Sequence, residues 1–313
     1  MARTLAGFRV VFAVLAFLAA VRIDHARARI LTVGPGADFN LPSLAVAAAG
    51  SGDTIRIASG RYADCAIVRQ DDLVIEASGP GVVLADRTCA GKALLVIDGN
   101  NVTVRGLTLQ HARVPDRNGA GIRAEGGNLR VEATRFIDNE NGILSGDNPH
   151  ATVRVIGSTF IGNGTCEGGC AHAIYAGAVA LLHVEHSRFL ATHAGHNIKS
   201  RARWTEVIDC DIQDGPDGSS SYLVELPNGG SLTLENSVLE KGPHTSNAAN
   251  AIMIGAEGVK RPAGELLVRG NRFINDQNRP TIFVHNLSDT PAVLTGNVLI
   301  GPVQALVGAG TVR

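Results

Sequence analysis

Residues 101–110 read NVTVRGLTLQ, and the phrase returns seven times: NLRVEATRFI (128–137), TVRVIGSTFI (152–161), LLHVEHSRFL (181–190), WTEVIDCDIQ (204–213), SLTLENSVLE (231–240), ELLVRGNRFI (265–274) and PAVLTGNVLI (291–300). Each copy carries an apolar anchor near its end: Leu109, Phe136, Phe160, Phe189, Ile212, Leu239, Phe273 and Leu299, spaced by 27, 24, 29, 23, 27, 34 and 26 residues. Within the phrase apolar and polar residues alternate, as in Val102-Thr103-Val104 and Val153-Arg154-Val155, which is the period of a strand. Between copies lies a second short strand: GAGIRAE, ENGILSG, HAIYAG, HNIKSR, SYLVEL, NAIMIG, PTIFVH and VQALVG. One such turn cannot bury its apolar side alone, but stacked turns share one core. The pattern predicts an all-β chain, a right-handed parallel β-helix of about ten turns with a short N-terminal capping helix. Inward columns are expected of the anchors, of Ile122, Ile143, Ile174, Ile198, Ile252 and Ile282, and of the small residues Thr134, Ser158, Ser187, Cys210, Ser237, Asn271 and Asn297. Small polar residues in such a column can hydrogen-bond from rung to rung.

The N-terminus reads differently. Residues 1–28 have Arg3 and Arg9, an apolar run from Val10 to Val21, and Ala26-Arg27-Ala28 as a cleavage site, which is the pattern of a secretory signal. The run is short for a membrane span, so no stable membrane insertion is expected, and the mature chain starts at Arg29 in the periplasm or outside the cell. Residues 29–62 form the opening strand and cap, with a helix from Pro42 to Ala49, and residues 63–313 form the β-helix. After Ile300 only a partial rung remains, which leaves the C-terminal sheet edge open to a second subunit. With 313 residues and a net charge of −1, nucleic acid is not an expected partner. The stretch TVGPGADFNLPSLAVAAAGSGDTIRIASGRY (32–62) resembles the start of pectate-lyase-like proteins of the pectin lyase fold, and the likeness runs through the rungs. That fold hosts lyases, hydrolases, esterases, epimerases and non-enzymes, so it implies an architecture and not a reaction.

The cysteines suit an oxidising compartment. Cys65 and Cys89 lie one turn apart, and Cys166 and Cys170 close the CEGGC loop, so both pairs are expected as disulfides. Cys210 stands in the small-residue column as an inert thiol. Zinc on Cys166, Cys170 and His172 lacks a fourth ligand at a standard spacing. No cofactor is implied, and no D-x-D-x-D-G loop speaks for calcium.

Residues 170–260 concentrate the groups that do chemistry. If Ile174 and Ile198 point inward, Tyr175, Lys199 and Arg201 point outward. In the next rung Tyr222, Val224 and Leu226 are expected inward, with Leu223 and Glu225 outward. His172 and His196 then share the start of this strand with Asn141 and Asn250, either as chemical groups or as ladder residues in place of Asn. Asn228, His244, Ser246, Asn247 and Glu257 lie near the same edge. The stretches GHNIKSRAR, SSSYLVELPNGG, GPHTSN and IGAEG resemble a group of exported bacterial β-helix proteins. The likeness rests on Lys199, Ser200, Arg201, Tyr222, Glu225, Pro227, Asn228, Gly229, Gly230, Gly242, Pro243, Asn247, Gly255 and Glu257, and implies where to look rather than a mechanism.

The leading expectation is a lyase or C5-epimerase acting on an acidic polysaccharide. Arg201 would neutralise the substrate carboxylate, Lys199 or His196 would take the C5 proton, and Tyr175 or Tyr222 would donate or relay one, with Glu225 beside them. His172, Tyr222, Asn228, His244, Asn247 and Glu257 would bind substrate. Two alternatives stand: a non-catalytic β-helix that binds or scaffolds polysaccharide, and a glycoside hydrolase using Asp209, Asp211, Asp214 and Asp217. An ion-paired ladder of Lys199, Glu225 and Arg201 on an ordinary sheet face would also give this pattern. The polygalacturonase N-T-D and D-D are missing from the expected rungs, Asp71-Asp72 lying in the turn QDD, and the pectate-lyase W-x-D-H, alginate-lyase N-G-x-E-x-I-R and epimerase D-P-H-D motifs are missing from the sequence.

Overall fold

The computed structural model describes residues 28–313, so the expected signal segment lies outside the described residues apart from Ala28. The described chain winds into three parallel sheets of twelve, ten and ten strands. After the first turn, which carries a helix between two strands of sheet 1, each turn gives one strand to each sheet in order. Leu129–Glu132 joins sheet 1, Arg135–Ile137 joins sheet 2 and Asn141–Ser145 joins sheet 3, before Thr152–Ile156 returns to sheet 1. Sheet 1 has twelve strands, hence eleven turns between its first and last, close to the repeat count. Right-handed winding is the hand that parallel crossovers adopt.

The repeated phrase is the corner between sheets 1 and 2. Its bend residues Gly106, Ala133, Gly157, His186, Asp209, Asn236, Gly270 and Gly296 all sit at φ between 45° and 73°. The anchors behind the bend fill the core. Phe136, Phe160 and Phe189 stack face to face with centroids 4.6 Å apart, about the spacing of neighbouring strands. Burying each such ring contributes about 1.5–3 kcal/mol. The small-residue column forms the expected ladder: the Thr134 N–H donates to Ser158 Oγ, Ser158 N–H to Ser187 Oγ, Cys210 N–H to Ser237 Oγ, Ser237 N–H to Asn271 Oδ1 and Asn271 N–H to Asn297 Oδ1. Cys210 puts a sulfur in the column: like the Ser158, Ser187 and Ser237 hydroxyls its thiol points to the carbonyl two residues back, and it offers the Ser187 N–H a weaker acceptor than oxygen. Burial pushes that thiol's pKa up to about 12, so it stays protonated and inert.

The helix Pro42–Ala48 covers the first rung and buries Pro42, Ala45 and Val46. Two side chains from the following turn serve its ends: Asp64 accepts the Ser43 N–H at 2.8 Å, and Gln70 Nε2 donates to the Val46 carbonyl at 2.9 Å. Both expected disulfides form, Cys65–Cys89 and Cys166–Cys170. At the other end Val298–Ile300, Val303–Gly308 and Gly310–Val312 close the three sheets, with Val298 and Val312 more than half exposed.

Two expected placements are corrected by register. Ile282 pairs with Asn250, and it is Val284, opposite Ile252, that continues the inward column. Tyr222 is half-buried outside the core, while Leu223 is fully buried within it. Residues 222–223 precede the strand Val224–Leu226, so strict alternation does not extend to them.

Candidate functional site

The site is built on the outer face of sheet 3, and a ladder at the start of its strands sets its geometry. Asn141 Oδ1 accepts the His172 N–H at 2.8 Å, His172 Nδ1 accepts the His196 N–H at 2.9 Å, and His196 Nδ1 accepts the Tyr222 N–H at 3.2 Å. The two imidazoles stack at 4.6 Å, and Tyr222 packs on His196 at 4.9 Å. Gly195 permits this closeness, since a Cβ there would lie 1.8 Å from the Ala171 carbonyl oxygen. With Nδ1 accepting, each ring carries its proton on Nε2. Burial, and for His172 the charges of His196, Lys199 and Arg201 as well, lowers both pKa values, that of His172 well below the ordinary range. His196 is therefore a neutral ladder residue whose Nδ1 is engaged by the Tyr222 N–H and whose Nε2 faces Glu225 at 3.0 Å.

Outward from the ladder, register sets Tyr175 beside Lys199 and Lys199 beside Glu225. Lys199 Nζ lies 3.2 Å from Glu225 and 2.9 Å from Glu257. Burial works against its charge, but hydrogen bonding and attraction from the two carboxylates outweigh it and raise its pKa. Lys199 is thus held as an ammonium between two carboxylates, whereas the expected role as a base needs it neutral. Arg201 is held on three sides: Nε donates to the Tyr175 hydroxyl at 2.7 Å, one terminal nitrogen donates to Asn228 Oδ1, and the other to Glu257 at 2.6 Å. Asn228 also donates to the Gly258 carbonyl at 3.3 Å, tying the 255–258 turn to the same centre. Glu225 is buried, yet its contacts with His196 and Lys199 leave Oε2 without an aligned donor. Burial alone would raise its pKa; the nearby Nε2–H of His196 and the ammonium of Lys199 hold it low.

Tyr175, His172 and Lys199 line a cleft of about 610 Å³ whose other walls are Asp116, Arg117, Asn118, Arg123, Asn141, Leu144, Ser145, Asp147 and Cys170. The wall from residues 116–118 leaves no trace in the repeat pattern. Arg123 follows from register, since it is the outward residue paired with Leu144, which in turn pairs with Tyr175. Asp116, Arg117 and Asn118 reach the cleft through a loop whose course the repeat does not encode.

The remaining expected residues divide. Asn247 hydrogen-bonds Tyr222 at the edge of the ladder, whereas His244 is exposed and takes no part in the network. Asp209 bends the corner near His186, Asp211 pairs with Arg188 at 2.9 Å, Asp214 is fully buried and Asp217 is exposed. The four therefore differ in partner and burial, and only Asp211 and Asp209 are engaged in side-chain pairs with a neighbouring rung. Cys166 and Cys170 are bonded to each other and offer no thiolate to zinc.

No protein-family model matches the chain. No curated protein matches it in sequence. Its fold is similar to solved structures. A pectin methylesterase from Aspergillus niger, in penultimately deglycosylated form, superposes with a TM-score of 0.55 at 14% identity, covering 80% of this chain and 85% of that one. Its deglycosylated form gives 0.53 at 12%, covering 90% and 91%. An alginate lyase from Paenibacillus sp. str. FPU-7 gives 0.50 at 15%, covering 88% and 99%. At such identities the likeness shows the fold, the parallel β-helix of pectin-lyase type, and nothing about the reaction.

Proposed function

We propose that the cleft over sheet 3 engages an acidic polysaccharide and moves the C5 proton of a uronate, ending in β-elimination or epimerisation. One contact carries this reading: Arg201 Nε donates to the hydroxyl of Tyr175 at 2.7 Å, and Tyr175 lines the cleft together with Lys199. A guanidinium aimed at a phenolic oxygen stabilises negative charge there as a proton leaves, so Tyr175 can take a proton and return it. Lys199, fixed as an ammonium, and Arg201 then serve as the positive charges facing the substrate carboxylate. This moves the proton-transfer role from Lys199 and His196 to Tyr175. Two solved structures of this fold are a pectin methylesterase and an alginate lyase, which makes acidic glycans the class to test first. The two disulfides and the N-terminal signal pattern support a periplasmic or secreted protein.

The test is absorbance in the unsaturated-uronate band while the mature protein meets a panel of pectic and alginate substrates, with Tyr175→Phe alongside. A rise that the variant loses while still binding supports elimination. A flat trace removes it and leaves epimerisation.

A second reading, glycan binding without turnover, is favoured by the closed charge network. Lys199 and Arg201 meet Glu257, Arg123 meets Glu125 at 3.2 Å and Arg117 meets Glu167 at 3.2 Å. Such cations bind an anion by exchanging partners. A tight complex with unaltered glycan and unexchanged C5 protons would favour this reading.

A further inference from the structure

Glu257 completes the charge network from its outer side. Its two oxygens divide between two cations: Lys199 Nζ donates to Oε1 at 2.9 Å, and a terminal nitrogen of Arg201 donates to Oε2 at 2.6 Å. The Glu257 side chain is 42% exposed, against 13% for Lys199 and 22% for Arg201, so it is the outermost of the three. Glu225, the other carboxylate on Lys199, is 4% exposed and fixed at the base between His196 and Lys199. The turn that carries Glu257 does not depend on its side chain. The Gly255 N–H donates to the Leu226 carbonyl at 2.8 Å, the Glu257 N–H to the Pro227 carbonyl at 2.9 Å and the Lys260 N–H to the Asn228 carbonyl at 3.0 Å, while Gly255 and Gly258 bend the chain at φ of 86° and 85°. The Glu257 carboxylate can therefore leave both cations while the turn stays in place. With Glu257 on them, Lys199 and Arg201 are balanced by two carboxylates; with Glu257 turned out to solvent, one positive charge is left over.

We propose that Glu257 holds the place of the substrate carboxylate: a uronate of the glycan turns it out to solvent and takes over its two cations, Lys199 and Arg201. This rests on the reading that the cleft takes an acidic glycan, and it says where the charged group of that glycan lies. The cations are already spaced to the two oxygens of one carboxylate, which favours a second carboxylate as the replacement. Lys199 lines the cleft, so a sugar lying there is next to that place. A uronate carries its carboxylate on C5, and the same Arg201 donates through Nε to the Tyr175 hydroxyl, so seating the carboxylate on Arg201 brings C5 toward Tyr175. Exchanging one carboxylate for another gains little, so Glu257 lowers the affinity for acidic glycans, and a neutral sugar, having no replacement to offer, leaves it on the cations.

The test is the calorimetric affinity of the mature protein for hexamers of galacturonate, mannuronate and guluronate, and for the fully methyl-esterified galacturonate hexamer. The wild type is compared with Glu257→Gln, which keeps the side chain's length and drops its charge, and with Glu257→Ala, which removes it; thermal melts check that each variant is folded. Both variants should bind at least one acidic hexamer about fivefold more tightly than the wild type, with no gain for the ester. Unchanged or weaker binding of the acidic hexamers by the folded variants assigns Glu257 to positioning Lys199 and Arg201, which overturns the proposal and leaves the acidic-glycan reading standing. An equal gain for the ester means that only bulk was removed, and overturns it as well. Binding of no acidic hexamer by wild type or variants overturns both.

Discussion

His196 Nδ1 accepts the backbone N–H of Tyr222, and that bond defines what the imidazole can do. The ring joins one rung to the next as Asn141 does two rungs earlier, leaving only its protonated Nε2 toward Glu225. His196→Asn should therefore keep the fold, and His196→Ala should cost about 1–3 kcal/mol by orphaning the Tyr222 amide. Nitrogen chemical shifts should show Nε2–H tautomers for His172 and His196. Because burial lowers both folded pKa values, the unfolded chain binds more protons below about pH 6.5, so this contribution to stability falls as pH drops through that value. A doubly protonated ring at pH 6 would contradict the ladder.

The Lys199–Glu225 pair is largely shielded from water, with 13% and 4% of the side chains exposed. Lys199→Ala leaves a buried carboxylate facing only a neutral imidazole and should cost about 1–3 kcal/mol. The double variant Lys199→Met/Glu225→Gln should recover part of that loss in denaturant melts. Additive losses would mean that the pair is not coupled.

Core packing and the hydroxyl ladder can be separated. Phe160→Ala removes the middle ring of the stack and should cost about 3–5 kcal/mol. Cys210→Ser replaces a weak sulfur acceptor by oxygen at the one position where the ladder lacks it, and should be neutral or stabilising by about 1 kcal/mol. A loss as large as that of Phe160→Ala would show that the thiol's volume outweighs the weaker bond.

Lys241 is fully buried, with Nζ donating to the carbonyls of Ser220 and Ser221 just before Tyr222. Burial lowers its pKa from 10.5 to about 8, against the pull of Asp214 and Glu240. Between those values the unfolded chain binds the extra proton, so this residue makes stability rise with pH across that window. Chemical denaturation at pH 7.5 and 9.5 should show that rise in the wild type and not in Lys241→Met. The same slope in both would contradict the assignment.

Much of the architecture is legible in the chain because each rung repeats one corner. The αL bend, the small ladder residue and the anchor recur at fixed offsets, so Phe136, Phe160 and Phe189 could be aligned by eye. Register fails where the corner no longer fixes it. PTIFVH offers Ile282 or Val284 to the core, and only pairing with NAIMIG chooses Val284. The protonation of Lys199 was not legible either, since it depends on Glu257, 58 residues away, folding back over it. For the same reason the wall from Asp116 to Asn118 stayed hidden: Glu140 shapes that loop through backbone amides, a contact that leaves no periodic trace.

The most direct measurement is proton NMR of a uronate polymer incubated with the mature protein in deuterated buffer, with Tyr175→Phe in parallel. Loss of the C5 proton is common to both, since elimination leaves a C4–C5 double bond and epimerisation returns a deuteron, so one signal covers both. Loss of the H5 resonance with the wild type, absent in Tyr175→Phe although that variant still binds, is the predicted result. Wild-type exchange that persists in Tyr175→Phe, or a bound polymer whose H5 signal never changes, would contradict the account.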